Sequence, residues 1–256
     1  MMELQSLFNF TTEMAYRAGR ITLGYFNVGV RPDYKADDTP VTAADRASEQ
    51  FIRGEIEKKY PGHAILGEEF GETAGEGVPF RWIIDPIDGT KSFLRGVPLY
   101  GVLIGLEIEG RIRVGAAYFP GTDEMLCAAD GLGCWWNGRR AHVSEIANIE
   151  KAYVCFTNVR NMGKYGRTAA WERINAAAYA TRGWSDAYGY LAVATGRAEV
   201  MLDPILSIWD CGPFPVIFRE AGGFFGSWDG REGHTYKEGL ACNAAIKDAV
   251  LELING

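Results

Sequence analysis

Two segments near the start of the chain keep their apolar residues at the 3.6-residue period of a helix that buries one face. These segments are Leu4–Phe26 and Thr42–Lys59. The polar residues 35–40 between them predict a loop or an edge hairpin, and Pro61-Gly62 is expected to end the second helix. The chain is therefore expected to begin with two amphipathic helices.

From Ala64 onward the pattern changes to short apolar or β-branched runs separated by Gly, Pro and Asp, which is typical of strands. The predicted strands are Ala64–Leu66, Phe80–Ile84, Tyr100–Glu107, Arg111–Tyr118 and Met125–Ala129. Glu109-Gly110 lies between two of these strands and favours a hairpin turn. The first half is therefore expected to form a largely antiparallel sheet next to the helices.

The second half alternates between segments with the pattern of strands and segments with the 3.6-residue period of helices. Strands are predicted at Ala152–Thr157 and Ala198–Leu202 and near Phe224 and Leu240, and helices at Thr168–Ala178, Ala187–Thr195, Asp210–Ala221 and Ala244–Ile254. We expect an α/β (α+β) fold in one domain, residues 1–256, with sub-domains of about 1–145 and 146–256 that share an extensive interface. Pro213 and Pro215 stand close together in one predicted helix, and the pattern offers no reason for the second of them.

Composition narrows the classes of function. The 256 residues carry a formal net charge of −7, which argues against a protein that binds duplex nucleic acid through a basic face. No apolar run reaches the roughly 20 residues of a bilayer span, and no secretory pattern is visible at the N-terminus. Five cysteines without a C-x-x-C pair are typical of reduced, buried thiols. We expect a cytoplasmic protein with no nucleic-acid or membrane partner.

Carboxylates at the ends of apolar elements are the chemical feature that stands out. Glu68 follows Ala64–Leu66, Asp85 follows Trp82–Ile84, and Asp210 follows Ser207–Trp209. Each acid alone could cap a helix or close a turn. Three such acids that converged would repel each other unless a cation lay between them.

The residue types of the hexapeptide Asp85-Pro-Ile-Asp-Gly-Thr90 together favour a turn that can bind ions. Pro86 stiffens the turn, so Asp85 and Asp88 can face the same side. Gly89 permits a conformation that a β-carbon bars, which leaves the N–H groups of Gly89 and Thr90 free to bind an anion. Hard oxygen ligands of this kind select Mg²⁺ over zinc or copper. The pattern indicates metal-assisted hydrolysis of a phosphate ester.

The chain resembles the inositol monophosphatase family of lithium-sensitive, metal-dependent phosphatases. The matching segments, in the order of the family, are Asp38-Thr-Pro-Val-Thr-Ala-Ala-Asp45, Gly67-Glu-Glu69, Trp82-Ile-Ile-Asp-Pro-Ile-Asp-Gly-Thr90, Trp209-Asp210 and Glu220-Ala-Gly-Gly223. The resemblance implies a layered αβαβα sandwich, two or three Mg²⁺ ions with Mn²⁺ as a possible substitute, and a homodimer.

The resemblance also implies roles for individual residues. Glu68, Asp85 and the Ile87 carbonyl would hold a first metal, and Asp85, Asp88 and Asp210 would hold a second; Glu68 would help to hold a third. Asp45 and Thr90 would orient and deprotonate the attacking water. Without the resemblance, Asp45 would be taken for a surface acid in the first turn of its helix. Glu69 is taken for a neighbour that points elsewhere or supports the loop.

The leaving group must be selected by the second half of the chain. Where inositol-type members carry Gly-Thr-Ala before a helix, this chain reads Trp184-Ser185-Asp186, and a carboxylate there suits a cationic substrate unless it only caps the helix. Asp203 matches a position where family members present an acid to the substrate, although it could instead belong to an Asp-Pro turn. With Lys91–Pro98, these residues resemble the histidinol-phosphate phosphatase branch, whose substrate is a small phosphorylated metabolite.

Two kinds of alternative remain open from the sequence: a different substrate, or a protein without activity. Lys91 to Arg95 also resembles enzymes that cleave 3′-phosphoadenosine phosphates, where basic residues could bind a second phosphate; inositol and sugar phosphates are further substrates of the same fold. The chain could also be an inactive metal-binding regulatory protein, although Asp45, Glu68, Asp85, Asp88, Thr90 and Asp210 are all present without substitution.

Overall fold

A computed structural model describes residues 4–29, 31–34 and 40–256. The helices are α1 (Leu4–Leu23), α2 (Ala43–Lys59), α3 (Thr90–Leu94), α4 (Val159–Lys164), α5 (Thr168–Ala177), α6 (Ala187–Ala194), α7 (Ile208–Cys211), α8 (Phe214–Ala221) and α9 (Lys247–Asn255). The strands are β1 (Asp33–Tyr34), β2 (Pro40–Val41), β3 (Ala64–Gly67), β4 (Gly71–Thr73), β5 (Phe80–Asp88), β6 (Gly101–Ile108), β7 (Arg111–Phe119), β8 (Glu124–Ala129), β9 (Gly133–Trp136), β10 (Arg139–Arg140), β11 (Tyr153–Phe156), β12 (Ala180–Arg182), β13 (Val200–Asp203), β14 (Gly223–Gly226) and β15 (Gly239–Asn243).

The helices and strands stack in five layers. Within the described residues, one sheet has eight strands in the order β10-β9-β8-β7-β6-β5-β3-β4, and a second has five in the order β12-β11-β13-β15-β14. Helices α1 and α2 cover the outer face of the first sheet, α6 and α8 lie between the sheets, and α5 and α9 cover the outer face of the second. The predicted αβαβα sandwich is confirmed.

Alternation along the strands explains why the first sheet has helices on both faces. Trp82 and Ile84 of β5 pack against α1 and α2, whereas Ile83 between them packs toward α8. Such strands are apolar on both faces, as expected of a sheet with two covered sides. No helix in the described part of the chain is long and apolar enough to cross a membrane.

Most predicted elements are present with shifts of a few residues at their ends. The first helix ends at Leu23 instead of Phe26, and Thr42 caps α2 instead of belonging to it. Residues 35–39, most of the predicted loop or edge hairpin, lie outside the described residues; the strands that flank them, β1 and β2, pair antiparallel. Glu109 and Gly110 both have positive φ, which confirms the hairpin turn between β6 and β7.

The predicted helix Asp210–Ala221 is wrong as a single element. It is two helices, α7 and α8, which meet at Gly212 and Pro213. Pro215 is the second residue of α8, in the first turn, where its missing N–H costs nothing. The proline that the sequence left unexplained therefore starts a new helix and does not distort an old one.

The link between α7 and α8 rests directly on the first sheet. Gly105 and Gly115 are cross-strand partners in β6 and β7, and a β-carbon on Gly105 would lie 2.2 Å from the Gly212 oxygen. One on Gly115 would lie 2.5 Å from the Pro213 oxygen. Two glycines therefore let backbone pack on backbone, and this contact holds α7 against the centre of the sheet. The division into sub-domains near residue 145 stays a prediction.

We predict that Gly105→Ala destabilises the protein by about 1–3 kcal/mol, because the new methyl group would overlap backbone that cannot rotate away. The midpoint of urea unfolding should fall accordingly. Gly54→Ala is the matched control: Gly54 is exposed in α2 with open space around its Cα, so alanine there should raise stability by about 0.5–1 kcal/mol. Equal effects of the two substitutions would contradict this account of the contact.

Candidate active site

Three aspartates from two distant segments meet in one cleft. Asp85 and Asp88 lie in β5, which runs four residues past its predicted end, and its pairing with β6 is irregular between them. Asp210 lies in α7 and accepts the Ser207 N–H at 2.7 Å, which fixes its side chain. Carboxylate oxygens of Asp85, Asp88 and Asp210 all lie within 4.8 Å of one another. Two of the three acids whose convergence the sequence made conditional on a cation, Asp85 and Asp210, therefore meet here together with Asp88.

Glu68 lines the same cleft, directly after the end of β3. The loop that carries Glu68 is held by Glu49, a buried residue that the sequence analysis missed. Glu49 of α2 accepts the backbone N–H groups of Glu69 at 2.7 Å and Phe70 at 3.2 Å. Arg53 neutralises it through an ion pair of 2.8 Å. In the sequence, Glu49 and Arg53 look like an ordinary i,i+4 surface pair, because only the fold buries them.

Asp45 is fully buried, so its interpretation as a surface acid is wrong. Its Oδ2 accepts the Thr42 N–H at 2.7 Å and the Thr42 hydroxyl at 2.6 Å, which closes a capping box at the start of α2. Its Oδ1 lies 3.4 Å from the Thr90 hydroxyl, which also lies 3.1 Å from the Ile87 carbonyl oxygen. Thr90 lines the cleft, so Asp45 reaches the cleft through that hydroxyl.

Burial and mutual repulsion set the electrostatics of this group. Burial raises the pKa of Asp85 well above its usual range, and the charges of Glu68, Asp88 and Asp210 raise it further. Burial likewise raises the pKa of Asp210 to about 7 and that of Asp45 to about 6. The folded chain therefore holds protons here that an ordinary carboxyl group would release.

The donor set fits a divalent metal ion. It consists of hard carboxylate oxygens at the end of a strand and the start of a helix, within reach of one another and repelling one another when ionised. Such oxygens are the ligands of Mg²⁺ and Mn²⁺, and a bound cation would supply the charge that the cluster lacks. The Ile87 carbonyl, the predicted backbone ligand, belongs to a residue that also lines the cleft.

The predicted substrate residues lie on the wall contributed by the second half. Asp186 occupies the N-cap position of α6, but its side chain makes no capping bond. The cap is supplied by Asp88, whose Oδ2 accepts the Ala187 N–H at 2.6 Å. Asp186 is therefore left to face the cleft, which it lines together with Gly89 of the opposite turn.

Asp203 lies deeper in the same wall and is only 3% exposed. It accepts hydrogen bonds from Thr157 and, at 2.9 Å, from Tyr190, two residues that the sequence analysis did not select. Burial raises the pKa of Asp203 well above its usual range, and the charge of Asp186 adds to this. Asp186 and Asp203 thus form a second acidic group, which faces a cleft of about 280 Å³.

Lys91 and Arg95, the basic residues that suggested a 3′-phosphoadenosine phosphate as substrate, line two different cavities. Lys91 lines the cleft, and its charge lowers the pKa of Asp186 against the larger effect of burial. Arg95 lines a different cavity together with Tyr25 and Phe93. One basic side chain therefore faces the substrate side of the cleft from α3.

Comparisons with known proteins find similarity along nearly the whole chain. A model of the inositol monophosphatase family matches residues 3–255. A histidinol-phosphatase of Chlorobaculum parvum is 43% identical over 95% of each chain, and an inositol-1-monophosphatase of Mesorhizobium japonicum is 33% identical over 99% of this chain and 97% of its own. The crystal structure of the extragenic suppressor protein suhB from Bartonella henselae superimposes with a TM-score of 0.91 at 29% identity, covering 97% of this chain and 98% of that one.

We predict that the metal-free protein loses stability as the pH rises from 5 to 8. Asp45 and Asp210 hold protons in the folded state up to about pH 6 and pH 7, so folding opposes their ionisation above the unfolded pKa. In chelator at pH 8, Asp210→Asn should be more stable than the wild type by roughly 1–4 kcal/mol, and the gain should shrink towards pH 5. Thermal melts of the wild type and of Asp210→Asn at several pH values measure the loss of stability and the gain from the substitution. Plots of stability against pH that run parallel for the two proteins would contradict the prediction.

Proposed function

Because the chain belongs to the inositol monophosphatase family and is a phosphoric monoester hydrolase, we propose that its substrate is histidinol phosphate. The observation that carries this proposal is the second acidic group, Asp186 and Asp203, on the wall of the cleft contributed by the second half. The phosphate would lie by Asp85, Asp88 and Asp210, next to Gly89 and Thr90. The name of the 43% identical relative, histidinol-phosphatase, supports the same substrate.

Charge is what distinguishes the candidate substrates. Histidinol phosphate carries an amine and an imidazole, and both can donate hydrogen bonds to carboxylates. Inositol and sugar phosphates offer only neutral hydroxyl groups to Asp186 and Asp203. A nucleotide bisphosphate would bring a second anion to this acidic wall, where Lys91 is the one basic residue among the described residues that line the cleft. The acidic wall therefore favours a cationic alcohol.

We propose that Glu68, Asp85, the Ile87 carbonyl, Asp88 and Asp210 hold two or three Mg²⁺ ions, which Mn²⁺ could replace. When bound, these ions would lower the pKa of a water molecule and neutralise the negative charge on the phosphate. Burial and the charges of Glu68, Asp88 and Asp210 raise the pKa of Asp85, and a bound cation would offset this repulsion, which supports the assignment.

Asp45 and Thr90 supply the proton acceptor in this proposal. Thr90 has one hydroxyl hydrogen, which it can donate to Asp45 Oδ1 or to the Ile87 oxygen. When it is donated to Asp45, a lone pair of Thr90 Oγ1 can accept a hydrogen bond from water in the cleft. As that water gives its proton to Thr90 Oγ1, the original hydroxyl proton of Thr90 passes to Asp45 Oδ1, so Asp45 ends protonated and Thr90 is unchanged. The pKa of about 6 for Asp45 suits a base that works near neutral pH. The capping bonds from Thr42 keep the carboxylate from turning away. The homodimer and the cytoplasmic location stay predictions.

We expect Asp85→Asn to lower kcat by more than about a hundredfold at saturating Mg²⁺, because it removes charge from the ligand that both ions would share. The variant should fold, since the oxygen of the new amide could still accept the Ile87 N–H and the side chain would no longer repel its acidic neighbours. Asp248→Asn, the same change on exposed α9, is the control and should be fully active. Near-normal turnover by Asp85→Asn would refute the metal assignment.

The substrate is tested by a side-by-side assay of histidinol phosphate, inositol 1-phosphate, 3′-phosphoadenosine 5′-phosphate and glycerol 2-phosphate, each with Mg²⁺ and with chelator. Histidinol phosphate should have the highest kcat/KM. Asp186→Asn should lower that value by about 10- to 100-fold, the worth of a charge-assisted hydrogen bond, and should leave glycerol 2-phosphate nearly unchanged. Equal losses for both esters would mean that Asp186 only supports the structure, and no loss for either would refute cation recognition.

A further inference from the structure

A short chain of hydroxyl groups joins α3 to Asp186. The Oγ atoms of Ser92 and Ser185 lie 2.7 Å apart, and the Ser185 hydroxyl lies 3.2 Å from Asp186 Oδ2. Each hydroxyl has one hydrogen to donate. If Ser185 donates to the carboxylate, its oxygen accepts from Ser92, so the two bonds run in one direction and polarise each other.

The backbone next to this chain of bonds is in an unfavourable conformation. Ser185 has φ +63°, in the left-handed region that residues with a β-carbon seldom occupy. Such a conformation persists only where the surroundings hold it. The contact with Ser92 is a side-chain restraint on Ser185 that comes from the other half of the chain.

Asp186 is confined from a second side by Gly89. A β-carbon on Gly89, which has φ +83°, would lie 3.1 Å from Asp186 Oδ2 and 3.7 Å from Ser185 Oγ. The carboxylate therefore packs on the turn that follows Asp88. Asp88 accepts the Ala187 N–H of α6, and the Asp186 side chain makes no capping hydrogen bond.

We propose that Ser92 is a positioning residue for substrate selection: through Ser185 it fixes the carboxylate of Asp186 where a cationic substrate group meets it. Ser92 is not among the described residues that line the cleft, so it would act through Ser185 and not by touching the substrate. This inference rests on the proposed function, because it concerns the recognition of the same cationic ester.

The test compares Ser92→Ala with Ser92→Thr in the Mg²⁺-loaded enzyme. Ser92→Ala should raise KM for histidinol phosphate about 2- to 10-fold, the range expected for one hydrogen bond, with little change in kcat. Its kcat/KM for glycerol 2-phosphate should change less than about twofold, because that ester has no cation for Asp186 to meet. Ser92→Thr keeps a hydroxyl group and should restore the KM of the wild type.

A double-mutant cycle separates the hydroxyl from the backbone. Ser185→Gly accepts the left-handed conformation but lacks the hydroxyl, so it should raise KM for histidinol phosphate at least as much as Ser92→Ala. Adding Ser92→Ala to it should cause no further loss, because the bond is already gone. Additive losses would overturn the proposal, as would equal losses for both esters or an unchanged KM in Ser92→Ala.

The two proposals fail in different ways. A wild-type enzyme without a preference for histidinol phosphate over glycerol 2-phosphate would overturn both. A wild-type enzyme with that preference, retained in full by Ser92→Ala and by Ser185→Gly, would overturn only the role of Ser92. The Mg²⁺ concentration that half-saturates the thermal shift should be the same in all of these variants, since none alters a carboxylate of the cluster.

Discussion

Repulsion among converging carboxylates is the constraint on which this structure depends. Asp85, Asp88 and Asp210 come from opposite halves of the sequence, yet their oxygens lie within 4.8 Å of each other in a largely buried position. Such a group is unfavourable as three anions, and the raised pKa values record that cost. The fold tolerates it because each acid also accepts a backbone N–H: those of Ile87, Ala187 and Ser207.

One of these backbone bonds also connects the two halves. Asp88 belongs to the first sheet and caps α6, the helix whose N-cap residue, Asp186, lines the cleft. The side of the cleft suited to metal and the side suited to the leaving group are therefore not independent walls. A change in the charge or position of Asp88 would reach the substrate side through a single hydrogen bond of 2.6 Å.

The sequence predicted what rests on local pattern and on motif. Periodicity predicted the helices and most strands. The acids at the ends of apolar elements and the run Asp85–Thr90 predicted the acids of the cleft, and the family resemblance implied the αβαβα layers. The sequence could not predict contacts that form only because the fold buries the residues concerned. Glu49 and Arg53 have the spacing of a surface pair, and Tyr190 and Thr157 carry no motif, yet they hold the loop of Glu68 and the carboxylate of Asp203. The break at Gly212-Pro213 was missed although Pro215 marks the start of α8; the glycine pair in β6 and β7, on which the break packs, lies far away in the chain.

That glycine pair has a consequence for the order in which the protein can form during synthesis. The first sheet is built from neighbouring hairpins, which close early because their contacts are local. Asp210 reaches the sheet only when the α7–α8 link docks on Gly105 and Gly115, after much of the second half has left the ribosome. A nascent chain that has folded only its first sheet therefore lacks one of the three clustered acids. Cation binding would stabilise the finished molecule and give little help to its first folding steps.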